Sequence, residues 1–128
     1  MRIVIIGTGG IAQKAYFPLL AVMPDVEIVG IHSRTQAHVD AACKRWGCPF
    51  GTIHMKEIIS LKPQTALVIS STESHFEICR ELLENGIDVY AEKSLTTSSK
   101  QSLILAEIAQ KNNRILAVGV NRRYALLY

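Results

Sequence analysis

Ile3-Val4-Ile5-Ile6-Gly7-Thr8-Gly9-Gly10-Ile11-Ala12 is the stretch that decides how this chain folds. Its first four residues are apolar and β-branched without a break. A strand with one face in water alternates apolar and polar residues, so an unbroken run predicts a strand covered on both faces, as in a parallel sheet. Gly7, Gly9 and Ala12 then follow at G-x-G-x-x-(G/A) spacing, and each position has a mechanical reason. Gly7 permits the tight turn out of the strand. Gly9 lets backbone N–H groups approach a pyrophosphate with no Cβ in the way. Ala12 lets the next helix lie close on the sheet with its positive end toward the anion. Glycines also mark ordinary strand-to-helix turns. A buried strand before them and a helical pattern after them select the nucleotide-binding reading.

The rest of the chain continues this pattern. Ile11, Ala15, Leu19 and Val22 keep a helical face, with a kink or fresh start predicted at Pro18, which has no N–H to donate. Strands are expected at Val26–Ile31, ending near His32, at 66–69, at 89–91 and at 115–118, with at most a short edge strand around Phe50. Helices are expected over Gln36–Trp46, from Met55 to Leu61, from Ser70-Ser71-Thr72 to a stop at Gly86, and from a Thr97-Ser98-Ser99 cap to about Lys111. Strands alternating with helices predict an α/β fold, a doubly wound parallel sheet in a single domain over residues 1–120.

Bulk properties narrow the classes of partner. The 128 residues suffice for one domain with a proper core; 48% are hydrophobic and 20% charged, as in a globular α/β protein. The net charge of +3 is scattered, with neither a basic stripe nor an aromatic platform, so no nucleic-acid partner is expected. No segment approaches the ~20 apolar residues of a membrane span. Cys43, Cys48 and Cys79 show no C-x-x-C spacing and cannot all pair, and the leading apolar run is too short for a signal peptide. The expected location is cytoplasmic.

Ligands of such sheets bind beyond the carboxyl ends of the strands. Gly7 to Ala12, His32-Ser33-Arg34, Ser70 to His75, Glu92-Lys93-Ser94 and Gly119 to Arg123 are therefore expected to meet along one edge. An NAD site places Asp or Glu after the second strand to hold the ribose 2′-hydroxyl. Here Ser33 and Arg34 offer a hydroxyl and a guanidinium, which suit a 2′-phosphate, so NADP is expected ahead of NAD. Lys93 beside Glu92 could hydrogen-bond a substrate oxygen and shuttle a proton, or form an exposed ion pair. His75 reads as a proton relay or as a hydrogen-bonded structural histidine. No His, Cys or carboxylate group has metal-ligand spacing.

These residues together resemble the N-terminal domain of the Gfo/Idh/MocA oxidoreductases, nearest in wording to the MviM-like branch. The resemblance is carried by Gly7 to Tyr16 with Pro18, by Ser70-Ser71-Thr72-Glu73-Ser74-His75, by Gly86 to Lys93, and by Asn121-Arg122-Arg123-Tyr124. It implies a Rossmann domain whose cofactor-binding residues are Gly7, Thr8, Gly9, Gly10, Ile11, Ala12, Ser33, Arg34, Ser70, Ser71, Thr72, His75, Glu92, Lys93 and Asn121. Lys93 matches the lysine of the family's Glu-Lys-Pro motif, beside nicotinamide and substrate, and is the catalytic candidate. The implied reaction is hydride transfer on a small-molecule alcohol or carbonyl of the sugar or polyol type. Ser94 stands where the family has proline, which relaxes the backbone there. Residues 121–128 read as the start of a connection to a substrate domain, without which little turnover is expected. The alternatives are a non-catalytic cofactor sensor or interaction module, and a homo-oligomer formed through apolar surface near Ala125-Leu126-Leu127.

Overall fold

Ile3, Val4, Ile5 and Ile6 are each no more than 1% exposed, because helices cover both faces of the strand they form. Alternate residues go to opposite sides. Val4 and Ile6 join Ile58, Val68, Leu82 and Leu105, whereas Ile3 and Ile5 join Phe17, Leu20, Ala42 and Leu67. Burying each such side chain contributes about 1.5–3 kcal/mol. In this computed structural model, which describes residues 1–120, that strand is β1 (Arg2–Ile6). It is followed by β2 (Glu27–His32), β3 (Gly51–Thr52), β4 (Thr65–Val68), β5 (Asp88–Glu92) and β6 (Leu116–Gly119). Every pairing is parallel, and the order across the sheet is β3-β2-β1-β4-β5-β6. The expected doubly wound sheet is the one that forms, and its winding reverses between β1 and β4.

A π-helical turn (Ala12–Tyr16) runs into α1 (Phe17–Ala21); α2 (Gln36–Trp46), α3 (Met55–Ser60), α4 (Thr72–Glu84) and α5 (Ser99–Lys111) follow. The fresh start predicted near Pro18 is present. Pro18 sits in the first turn of α1, and the Phe17 N–H donates to the Ala12 carbonyl five residues back. The widened turn itself had no signature in the sequence. Helix α2 begins on Thr35, whose hydroxyl accepts from the His38 N–H at 3.4 Å, and ends on left-handed Gly47. Left-handed Gly86 ends α4 as predicted, and the Ser98 hydroxyl caps α5 by accepting from the Gln101 N–H at 3.2 Å. Strands β4 and β6 are offset by one residue from their expected positions, starting at Thr65 and Leu116. Among the described residues no helix is long and apolar enough to cross a membrane. Asn121, most of the Gly119 to Arg123 loop and the Ala125-Leu126-Leu127 stretch lie outside the described residues.

Candidate functional site

At the reversal between β1 and β4, the loops leaving β1, β2 and β4 enclose a cavity of about 510 Å³. The glycine turn forms its floor. Gly7 has φ +107°, and a Cβ there would lie 2.6 Å from the Ser70 backbone nitrogen, so only glycine fits between the two loops. Gly9 and Gly10 differ from it. A Cβ on either would meet nothing within 4 Å and would project into open space. Their bare backbone is the cradle a pyrophosphate needs, so the loop fits the group its spacing predicted. Ala12 is fully buried beneath this loop against Ile3 and Ile5, as close helix packing requires, whereas Ile11 is exposed.

The second wall is the loop after β2, with His32, Ser33, Arg34, Thr35 and His38. The Thr8 hydroxyl donates to the Ser33 hydroxyl oxygen at 3.2 Å, which leaves the Ser33 proton free for a ligand. Arg34 is exposed, and the first turn of α2 carries no acidic residue. His32 is buried, and burial lowers its pKa; the neutral ring lies with Nε2 3.1 Å from the Ile53 carbonyl oxygen. Among the described residues no carboxylate lines the cavity. Electrostatically it is therefore a place for an anion.

Ser70, Ser71 and Ser74 close the third side. The Ser74 hydroxyl donates to the Ser71 carbonyl at 2.7 Å, and the Ser70 and Ser74 hydroxyls are 2.8 Å apart. Thr72 begins α4 without lining the cavity. His75 does not reach the cavity either. It is 1% exposed, with Nε2 2.9 Å from the Ser70 carbonyl oxygen and Nδ1 3.0 Å from the Leu95 carbonyl oxygen. Of the two readings the sequence left open, this geometry matches the structural one: His75 ties the loop after β4 to the loop after β5.

Glu92 ends β5 and Lys93 begins the loop after it, and both lie outside the cavity wall. The Glu92 carboxylate accepts from the Tyr16 hydroxyl and, at 3.1 Å, from the Lys93 backbone N–H. Burial, and then the Glu92 carboxylate, raise the Tyr16 pKa far above its usual value, so the hydroxyl remains a donor. The Lys93 side chain is exposed at the sheet edge, and the Lys93–Ser94 peptide bond is cis, with serine in the place of proline.

Gln13, Thr35, His38 and Ile78 also line the cavity and were not anticipated, whereas Ser74 falls in the Ser70 to His75 stretch expected there. Thr35 was legible as a helix cap, and Gln13 directly follows Ala12, the last residue of the glycine motif. The others reach the cavity only because helix starts converge there.

A parallel sheet of this strand order, with a glycine-floored and carboxylate-free cavity where its winding reverses, defines a dinucleotide-binding domain of the Rossmann class. Its family follows from the sequence: residues 1–120 match the Gfo/Idh/MocA family, described as an oxidoreductase family with an NAD-binding Rossmann fold, and the chain belongs to it. YceM of Salmonella typhimurium is 33% identical over the whole chain, which spans 41% of that relative. The crystal structure of a dehydrogenase (MviM) from Clostridium difficile superposes with a TM-score of 0.91 at 33% identity, covering 97% of this chain and 40% of that one. KijD10, a 3-ketoreductase from Actinomadura kijaniata solved with NADP and TDP-benzene, gives 0.86 at 25% identity, covering 93% and 37%. The chain thus spans about two fifths of the length of these relatives.

Proposed function

We propose that the chain is the NADP(H)-binding part of an oxidoreductase that interconverts an alcohol and a carbonyl on a sugar-type or polyol substrate. The observation that carries this reading is the cavity wall after β2. Ser33 and Arg34 occupy the ground where a carboxylate would hold a ribose 2′-hydroxyl, and among the described residues no acidic side chain lines the cavity to repel a phosphate. Ser33 would donate its free hydroxyl proton to the 2′-phosphate, and Arg34 would supply paired N–H donors. The bare Gly9-Gly10 backbone would hold the pyrophosphate, and Ser70 and Ser71 would bound the far side. When bound, the cofactor supplies the hydride acceptor or donor. A 3-ketoreductase among the relatives, solved with NADP, supports both the cofactor and the alcohol–carbonyl chemistry.

Lys93 would move the accompanying proton at its Nζ, with Glu92 fixing the backbone from which it projects. Hydride transfer requires both reactants in near-attack geometry, and this domain holds one of them. Activity would therefore need a further substrate-binding part, as in a protein of the length of the relatives, of which this chain spans about two fifths. Titration of the chain with NADPH and NADH by calorimetry tests the reading. Tighter NADPH binding is expected; equal affinity or tighter NADH binding overturns the cofactor assignment. A second reading, a non-catalytic cofactor sensor, is favoured by the position of Lys93 outside the cavity wall. Turnover of polyols by the longer protein that is lost on Lys93→Ala would exclude it.

A further inference from the structure

We propose that Gln13 is a phosphate-binding residue of the cavity, its amide orientation locked by Trp46, an inference that rests on the cavity being a dinucleotide site. An amide side chain has a carbonyl end that only accepts and an NH2 end that only donates. Which end faces a ligand is ordinarily ambiguous in a structure. Here chemistry resolves it. The Trp46 indole N–H is donor-only, and it lies 3.0 Å from Gln13 Oε1. The acceptor end of Gln13 therefore faces Trp46, and its NH2 end faces the glycine turn.

Gln13 lines the cavity beside Gly9 and Gly10, and its NH2 end lies at the glycine turn, against the Thr8 carbonyl. One of its hydrogens points to the Thr8 carbonyl oxygen across a long 3.4 Å contact. The other has no acceptor among the described residues. It sits next to the backbone stretch where a Cβ would meet only open space, on a wall without carboxylates. A donor left open among the described residues, beside the pyrophosphate cradle, is suited to an anionic phosphate oxygen.

The lock is well held. The Trp46 ring stacks on fully buried Phe17, with centroids 5.4 Å apart and planes 6° from parallel, and the Arg45 guanidinium carbon lies 4.9 Å from its centroid. Trp46 ends α2, whose beginning lines the opposite wall through Thr35 and His38. One helix thus contributes to the cavity at both ends, by its start directly and by its last residue through Gln13. Trp46 is the positioning residue and Gln13 the binding one.

Calorimetric titration with NADPH and NADH, on wild type and variants, tests this. Gln13→Ala should weaken the preferred nucleotide about tenfold, the loss of a hydrogen bond to a charged group. Gln13→Glu keeps shape and the acceptor for Trp46 but turns a carboxylate oxygen to the phosphate and to the Thr8 carbonyl, so its affinity loss should approach about a hundredfold with a melt that remains cooperative and only slightly lowered. Trp46→Phe should cost several-fold in the wild type and nothing further in the Gln13→Ala background. Trp46 is the only tryptophan, so nucleotide binding should also quench its emission in wild type. Wild-type affinity in Gln13→Glu overturns the assignment of Gln13, and additive Gln13→Ala and Trp46→Phe losses overturn the lock. If the wild type binds neither nucleotide, the reading of the cavity itself falls, a failure visible before any variant is made.

Discussion

The Tyr16 hydroxyl donates to the Glu92 carboxylate, joining the π-helical turn after β1 to the last residue of β5 across the width of β4. Tyr16 also meets the Tyr90 ring edge-on, with centroids 6.0 Å apart and planes at 64°. Tyr16→Phe would keep this ring contact and remove the hydroxyl, which is both the donor to Glu92 and the partner 3.3 Å from the Tyr90 hydroxyl. Glu92 would be left half-buried with the Lys93 N–H as its remaining partner. The variant should lose about 1–2 kcal/mol of stability, measured by urea unfolding, since the acceptor is charged. A change within 0.5 kcal/mol would show that water replaces the hydroxyl there.

Gly7 and Gly9 sit two residues apart and should behave oppositely. An alanine at Gly7 puts a Cβ into the Ser70 backbone at a φ that side chains rarely adopt, so Gly7→Ala should destabilise by about 2 kcal/mol or more. Gly9→Ala meets open space and should leave stability within about 1 kcal/mol. Its methyl group fills the pyrophosphate cradle, so nucleotide affinity should fall sharply in a protein that melts normally. Thermal melts read beside calorimetric titrations separate the two outcomes.

Arg34 is the test of cofactor choice. Arg34→Ala should weaken NADPH about tenfold or more and NADH by no more than about twofold, because only the former offers a second phosphate for a charge-assisted bond. Equal losses for both would place Arg34 on the shared part of the ligand.

Burial alone raises the Cys79 thiol from 9.0 to about 12. The folded protein then holds a proton that the unfolded chain releases at lower pH. The resulting stability is complete below pH 9 and is lost as pH climbs from 9 toward 12. Urea midpoints measured across that range should fall less steeply for Cys79→Ala than for wild type. Thiol labelling of Cys79 should likewise track global unfolding, since the side chain is fully buried. Labelling faster than unfolding would reveal local opening of α4.

The sequence by itself determined the sheet, because its evidence is local. An unbroken Ile3–Ile6 run, glycines that permit the turn at Gly7, and stops at Gly47 and Gly86 each act over a few residues. Cap chemistry at Ser98 was equally plain, and parallel alternation then forces the strand ends, with Gly7–Gly10, Ser33-Arg34 and Ser70-Ser71, onto one edge. Tertiary structure decided what each side chain there does. His75 followed the same helix-start pattern as its serine neighbours, yet its ring turns inward to two carbonyls, and no periodicity says which way a residue at a helix start will face. Gln13 and Trp46 are separated by a strand and two helical segments, and Tyr16 and Glu92 by most of the chain. Such pairs are made by the close approach of elements in space: the π-helical turn meets the end of α2 through Gln13 and the end of β5 through Tyr16, and no linear spacing records either approach.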